Sequence, residues 1–281
     1  MINPMDGAQR ASGHRIQRVA VFVILALIVG SVGLAARPIS TDAAARVKVV
    51  IVVGPVGSST AKYISHARSY AALARSYGAT VVEIYTPHAT LGAVKAAARN
   101  ANILIYLGHG NGYPSPYGAF SASRRNGMGL NSRWGTSNTN VKYWGQAYMA
   151  GLHLAPNSVV LLNHLCYASG DSEPGRANPT QAVAMRRADG YGTGFLRSGA
   201  KAVFANGNGG LESILTDLFT TDKTLAEIFQ TDWSFSGAHD FQFASKYTAG
   251  ATVWMDPRDP GRYYHSVVGK LTVTATKVRA G

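Results

Sequence analysis

The side chains best suited to chemistry are one cysteine and one histidine. Cys166 is the only cysteine of the chain and follows the apolar run Val159-Val160-Leu161-Leu162; His109 follows another such run, residues 103–107. A thiolate attacks carbonyl carbon well. A free thiol, with a pKa of about 8.5, needs a nearby imidazole, cation or helix amino terminus to reach that form. His and Cys delivered to one edge of one sheet would suit acyl transfer. Gly108 and Gly110 flank His109 and allow backbone N–H groups to approach a substrate carbonyl, as an oxyanion site requires.

Those two side chains need strands to carry them. Four to six consecutive apolar residues bounded by Asn or Gly read as a strand buried on both faces, and 47–53, 80–85, 103–107, 159–166 and 200–205 all fit. Helical spacing of Ile64, Ala67, Ala71, Ala74 and Tyr77, stopped by Gly78, predicts a helix between the first two strands. Further helices are predicted at 90–99, 141–154, 179–196, 211–220 and 224–229. The stretch 111–140 reads as a long surface loop, 167–179 as a polar loop carrying Asp171 and Glu173, and 270–277 (KLTVTATK) as an alternating strand. Short connections in the order β-α-β-α-β imply a parallel sheet with right-handed crossovers. The expected fold class is therefore α/β, a three-layer sandwich with a mostly parallel sheet flanked by helices.

The chain has 281 residues and a net charge of +13. Basic residues after position 45 are scattered, with pairs only at Arg124-Arg125 and Arg186-Arg187, which argues against a nucleic-acid partner. Arg10, Arg15 and Arg18 precede an uncharged apolar run over 19–36, the order of an export signal or signal anchor. Residues 1–45 are accordingly read as signal peptide or anchor with spacer, and 46–281 as one α/β domain with a C-terminal extension, secreted or held to the membrane only by its N-terminal segment, outside the cytoplasm. Exported proteins usually pair their cysteines, and a single thiol has no internal partner.

The strings Leu107-Gly108-His109-Gly110, Leu161-Leu162-Asn163-His164-Leu165-Cys166-Tyr167-Ala168-Ser169-Gly170 and Gly194-Phe195-Leu196-Arg197-Ser198-Gly199-Ala200-Lys201-Ala202-Val203 together resemble the caspase-hemoglobinase fold of cysteine peptidases, the group of caspases, legumains, gingipains, clostripain and CHAT-domain proteins. The resemblance spans roughly residues 47–230. It implies a peptidase acting on peptide or protein substrates without a cofactor. Cys166 would be the nucleophile, His109 the acid-base, and the N–H groups of Gly110 and Cys166 the oxyanion hole. Two residues before the cysteine the family typically carries Gln or Glu; this chain has His164. From their places at strand ends beside the nucleophile, His164, Asp171 and Asn208 are the expected substrate-binding residues.

Two other readings compete. His109, His164 and Cys166, with Asp171 or His239 nearby, have the donor types of a catalytic zinc site, although HExxH and paired-cysteine signatures are missing. A binding module that keeps the fold without turnover is the other. No G-x-S-x-G elbow of a serine hydrolase occurs.

Overall fold

The computed structural model describes residues 46–281, so the basic and apolar segment expected to direct export lies outside the described residues. In chain order the elements are β1 (Lys48–Val53), α1 (Thr60–Ser76), β2 (Thr80–Tyr85), α2 (Leu91–Ala98), β3 (Ile103–Leu107), β4 (Met128–Asn131), β5 (Val141–Trp144), α3 (Gln146–Met149), β6 (Val159–Asn163), α4 (Gln181–Arg197), β7 (Ala202–Asn206), α5 (Glu212–Thr220), α6 (Leu225–Gln230), β8 (Phe241–Ala244), β9 (Thr252–Met255), β10 (His265–Gly269) and α7 (Ala275–Ala280).

Eight strands form one sheet in the order β2-β1-β3-β6-β7-β10-β9-β8. The first five are parallel and the last three antiparallel. Because side chains alternate along a strand, each central strand feeds two cores. Val50, Val52, Leu104, Tyr106, Val160 and Leu162 face the side covered by α2, α3 and α4; Val49, Ile51, Ile103, Ile105, Val159 and Leu161 face the side covered by α1, α5, α6 and α7. The architecture is thus an α/β sandwich of three layers. Strands covered on both faces carry polar residues only at their ends, such as Lys48, Asn163 and Asn206, which is why their interiors are unbroken apolar runs.

The helices begin where the caps stand. Thr90 and Thr180 accept the N–H of Ala93 and Val183, and Thr224 with Glu227 forms a capping box, each satisfying a donor the first turn leaves free.

Four expectations fail. Residues 141–154 are not one helix: Val141–Trp144 pairs with Met128–Asn131 in a two-stranded antiparallel sheet, and only the short α3 follows. This also places a strand inside the stretch expected to be loop. The helical spacing of Val141, Trp144 and Tyr148 does not extend across Gly145, where a Cβ would lie 2.5 Å from the Ala122 carbonyl. Nor is 270–277 a strand. Leu271 and Val273 offer their carbonyls to the free N–H groups of Ala226 and Leu225 at the start of α6, and Thr274 then caps α7. Finally, the strand expected to reach Cys166 stops at Asn163.

Candidate active site

β3 and β6 are neighbours, paired in parallel with Leu107 opposite Asn163. Their carboxyl ends are the edge where open α/β sheets bind ligands. Past β3 the chain is held by Tyr106, whose buried hydroxyl accepts the Gly129 N–H at 2.9 Å and lies 2.9 and 3.1 Å from the carbonyls of Gly129 and His109. Gly129 of β4 completes the support: a Cβ there would stand 3.2 Å from His109 Cβ. The small sheet therefore backs the His109 side chain.

Past β6 the chain folds sharply. Asn163 is buried, donates to the carbonyls of Asn206 and Gly209, and accepts the Tyr70 hydroxyl at 2.9 Å. His164 then has φ +57° and Tyr167 φ +70°, left-handed backbone that non-glycine residues adopt at a cost. The expectation that His164 and Cys166 share one strand face is corrected by that geometry, since neither lies on a strand. The turn presses Cys166 onto the loop after β3: a Cβ at Gly110 would fall 2.0 Å from the Cys166 carbonyl oxygen. Only glycine permits this approach.

His109 and Cys166 line one cavity of about 750 Å3, with Gly110, Tyr143 and Glu173. Cys166 and Glu173 also border a second cavity, about 520 Å3, lined by Tyr63, His164, Ser169, Asp171 and Asn208 among others. The three expected substrate-binding residues thus meet in one place, separate from His109. The His164 ring is oriented by Nδ1, 3.1 Å from the Gly207 carbonyl, and by tilted contacts with Tyr63 and His66.

Two arginines tie the loops around the cysteine. Arg187 of α4 is buried and donates to the carbonyls of Pro114, Gly170 and Asp171 and to Ser172 Oγ, with its guanidinium 4.7 Å from the Tyr167 ring centre. Arg125 donates to Asn111 Oδ1 and the Tyr117 and Gly118 carbonyls. A planar fork with several N–H groups can close a loop on its own carbonyls.

Electrostatics favour neutral groups at rest. Burial pushes the Cys166 thiol up to about 11, and the Glu173 and Asp171 carboxylates add to the rise. Burial holds His109 below the usual imidazole range, with Glu173 offsetting part of the effect. Burial likewise lowers His164, against the pull of the Gly207 carbonyl. Glu173 itself is partly buried, yet the hydrogen bonds that Tyr117 and Arg176 donate outweigh that and hold its carboxyl below the usual range.

No known protein family, curated protein or solved structure matches this chain. Among the described residues no group of three His, Cys, Asp or Glu side chains stands close enough to hold a metal ion, and His239 lines neither cavity. Sequence reasoning did not single out Glu173, Tyr143, Arg125, Arg187 or Ser169 for the site. Only the polar loop 167–179 and the tight Gly-flanked turns pointed toward them.

Proposed function

We propose that the chain is an exported cysteine endopeptidase of caspase-like fold, with Cys166 as nucleophile and His109 as acid-base. The observation that carries this reading is the convergence of two adjacent strand ends: His109 and Cys166 line one cavity while Gly110 lies in backbone contact with Cys166. In the reaction, Cys166 Sγ bonds to the scissile carbonyl carbon as the C–N bond breaks. The thiol proton passes through the His109 imidazole to the departing amine. Water then attacks the thioester, releasing the carboxylic acid and returning a proton to sulfur. A neutral thiol and a neutral imidazole lining one cavity suit a step in which proton transfer accompanies attack. The N–H groups of Gly110 and Cys166 serve as oxyanion donors, and the cavity with His164, Asp171 and Asn208 receives the side chain before the cleaved bond.

A second reading has one observation in its favour. A thiol raised by burial and two carboxylates is poorly prepared as a nucleophile, as in a binding module without turnover. A peptide library varied at the residue before the cleaved bond, given to the full-length protein, decides between them. For a peptidase, Cys166→Ala abolishes cleavage, His109→Ala lowers it by about 10²–10⁴-fold, and an acyloxymethyl ketone labels Cys166. Neither cleavage nor labelling, with peptides still bound, would leave the binding module standing.

A further inference from the structure

Four acidic side chains are buried among the described residues: Asp171, Asp189, Asp232 and Asp256. Three of them are accounted for. Asp232 and Asp256 clasp His265, and Asp189 accepts from Ser245 Oγ on one oxygen and the Lys246 N–H on the other. Asp171, only 6 % exposed, is different. It takes part in none of the ion pairs among the described residues. Its Oδ1 accepts the Ser172 N–H at 2.8 Å, a neutral donor that leaves the charge uncompensated.

Asp171 is also the one of the four that lines the cavity of about 520 Å3 beside Cys166. Its carboxylate is turned toward that space: the Tyr264 hydroxyl and the Arg262 charge act on it, and both residues line the same cavity. Its charge is felt in turn at the Cys166 thiol. Burial raises the Asp171 carboxyl, and the Ser172 N–H, the Tyr264 hydroxyl and the charges of Arg187 and Arg262 do not bring it back. Buried carboxylates are ordinarily paired, because an unpaired one forfeits its hydration without return. A cation entering the cavity would supply what the chain does not.

The arginines nearby are committed elsewhere. Arg176 pairs with Glu173 at 3.2 Å and Arg262 with Asp259 at 3.9 Å, and both arginine side chains are more than half exposed, where water and salt screen them. Arg187 is buried but lines neither cavity. Its N–H groups go to the carbonyls of Pro114, Gly170 and Asp171 and to Ser172 Oγ. The charge left over on the cavity wall is that of Asp171.

We propose that Asp171 makes this cavity selective for a basic side chain, so that cleavage follows arginine or lysine, with the guanidinium or ammonium set against the Asp171 carboxylate. The proposal rests on the peptidase reading for the reaction and on the cavity alone for the charge. A volume of about 520 Å3 admits a side chain of that length.

The test compares arginine with citrulline, its neutral isostere, before the cleaved bond of otherwise identical peptides given to the full-length protein. Arginine should exceed citrulline in kcat/KM by about 10²-fold, the order that one desolvated charge pair is worth, and glutamate should be the poorest of the three. Asp171→Asn keeps an acceptor for the Ser172 N–H and should bring the ratio of arginine to citrulline close to one. Binding of N-acetyl-argininamide and N-acetyl-citrullinamide to full-length Cys166→Ala, followed by ligand-observed NMR, reads the same preference without turnover. Equal treatment of arginine and citrulline, or a ratio untouched by Asp171→Asn, overturns the proposal. So does a preference for glutamate, which would assign the cavity to Arg176 and Arg262. A fall of both substrates with the ratio kept would show that Asp171 serves the loop and not the pocket, and overturns it too. If nothing is cleaved but the arginine amide is bound in preference, and Asp171→Asn erases that preference, the peptidase reading falls and the cation site stands. Cleavage through Cys166 without a charge preference does the reverse, and the absence of both cleavage and binding overturns both.

Discussion

At the start of β10, His265 lies buried between two carboxylates, with Nε2 2.9 Å from Asp232 and Nδ1 3.5 Å from Asp256; past the end of β6, Cys166 and His109 share an open cavity. Both places are at the same edge of one sheet, since His265 pairs with Asn206, the last residue of β7. In the first, polar groups are matched to one another. Ser236 and Gly237 donate their N–H groups to Asp256, Ser213 donates to Asp232, and the imidazole stacks on Phe229 at 4.2 Å. In the second, the N–H groups of Gly110 and Cys166 donate to no backbone carbonyl among the described residues, and the thiol and imidazole share an open cavity. The matched cluster has the makings of a joint, and the pair on the open cavity the makings of a site. Asn206 connects them, donating to Ser234 and Gly210 while its carbonyl accepts from His164 and Asn163.

Breaking the joint should have the largest effect on the fold. His265→Ala leaves Asp232 and Asp256 buried without their cation, which costs about 3–5 kcal/mol in comparable buried pairs. Urea unfolding should show that loss. If stability changes by less than about 1 kcal/mol, the cluster behaves as a surface pair and the comparison collapses.

Gly110→Ala attacks the other region. The added Cβ would meet the Cys166 carbonyl at 2.0 Å, so one of the two loops must move by about an ångström. Displacements of that size at a reacting centre cost about 10²-fold in rate. Peptide hydrolysis should fall by that order, whereas global stability should fall less than in His265→Ala. Unchanged hydrolysis would mean that the contact does not set the geometry of the pair.

A third effect separates the regions by pH. Burial lowers the His265 pKa, but the hydrogen bonds and charges of Asp232 and Asp256 outweigh it and raise the value. A raised histidine adds stability below its unfolded pKa of about 6.5 and loses that contribution as pH climbs through the folded value. Burial raises Asp256, but the donors from His265, Ser236 and Gly237 outweigh that and lower it. Its contribution is present above an unfolded value of about 3.9 and is lost as pH falls through the folded one. Stability should therefore decline on the alkaline side by up to about 1.4 kcal/mol per pH unit, and His265→Gln should flatten that limb. A limb unchanged in the variant would assign the alkaline loss to other groups.

The two regions were not equally legible in the sequence. β1, β3, β6 and β7 could be read because the interiors of strands covered on both faces are apolar throughout, and His109 and Cys166 stood out as reactive types just past the ends of such runs. The cluster could not be read. Asp232, Asp256 and His265 are separated along the chain by loops and by β8 and β9, short strands whose edge positions mix Phe with Gln and Thr. Local pattern cannot show that a loop folds back to meet β10. The same limit hid Glu173 and Arg187, which reach the site only through the turn after β6. His164, Asp171 and Asn208 did come together in one cavity, because all three lie just beyond strand ends that the parallel order makes neighbours.

The smallest expected effect probes how the pair on the open cavity is tuned. Glu173 is the largest charge contribution to the raised Cys166 thiol after burial. Removing its charge in Glu173→Gln lowers the thiol pKa and so increases the thiolate fraction at a given pH. Because alkylation requires the thiolate, the rate with iodoacetamide at pH 8 should rise a few-fold, roughly what loss of one nearby like charge in a half-solvated place produces. Glutamine keeps an acceptor for the Tyr117 hydroxyl, which lies 2.6 Å from Glu173 Oε1, so the loop need not move. Glu173 also raises His109, and its removal makes the imidazole less basic. Alkylation should accordingly speed up while any hydrolysis that uses His109 as proton carrier shifts its acid limb to lower pH. A slower alkylation would show instead that Glu173 acts on Cys166 through the loop it anchors and not through its charge.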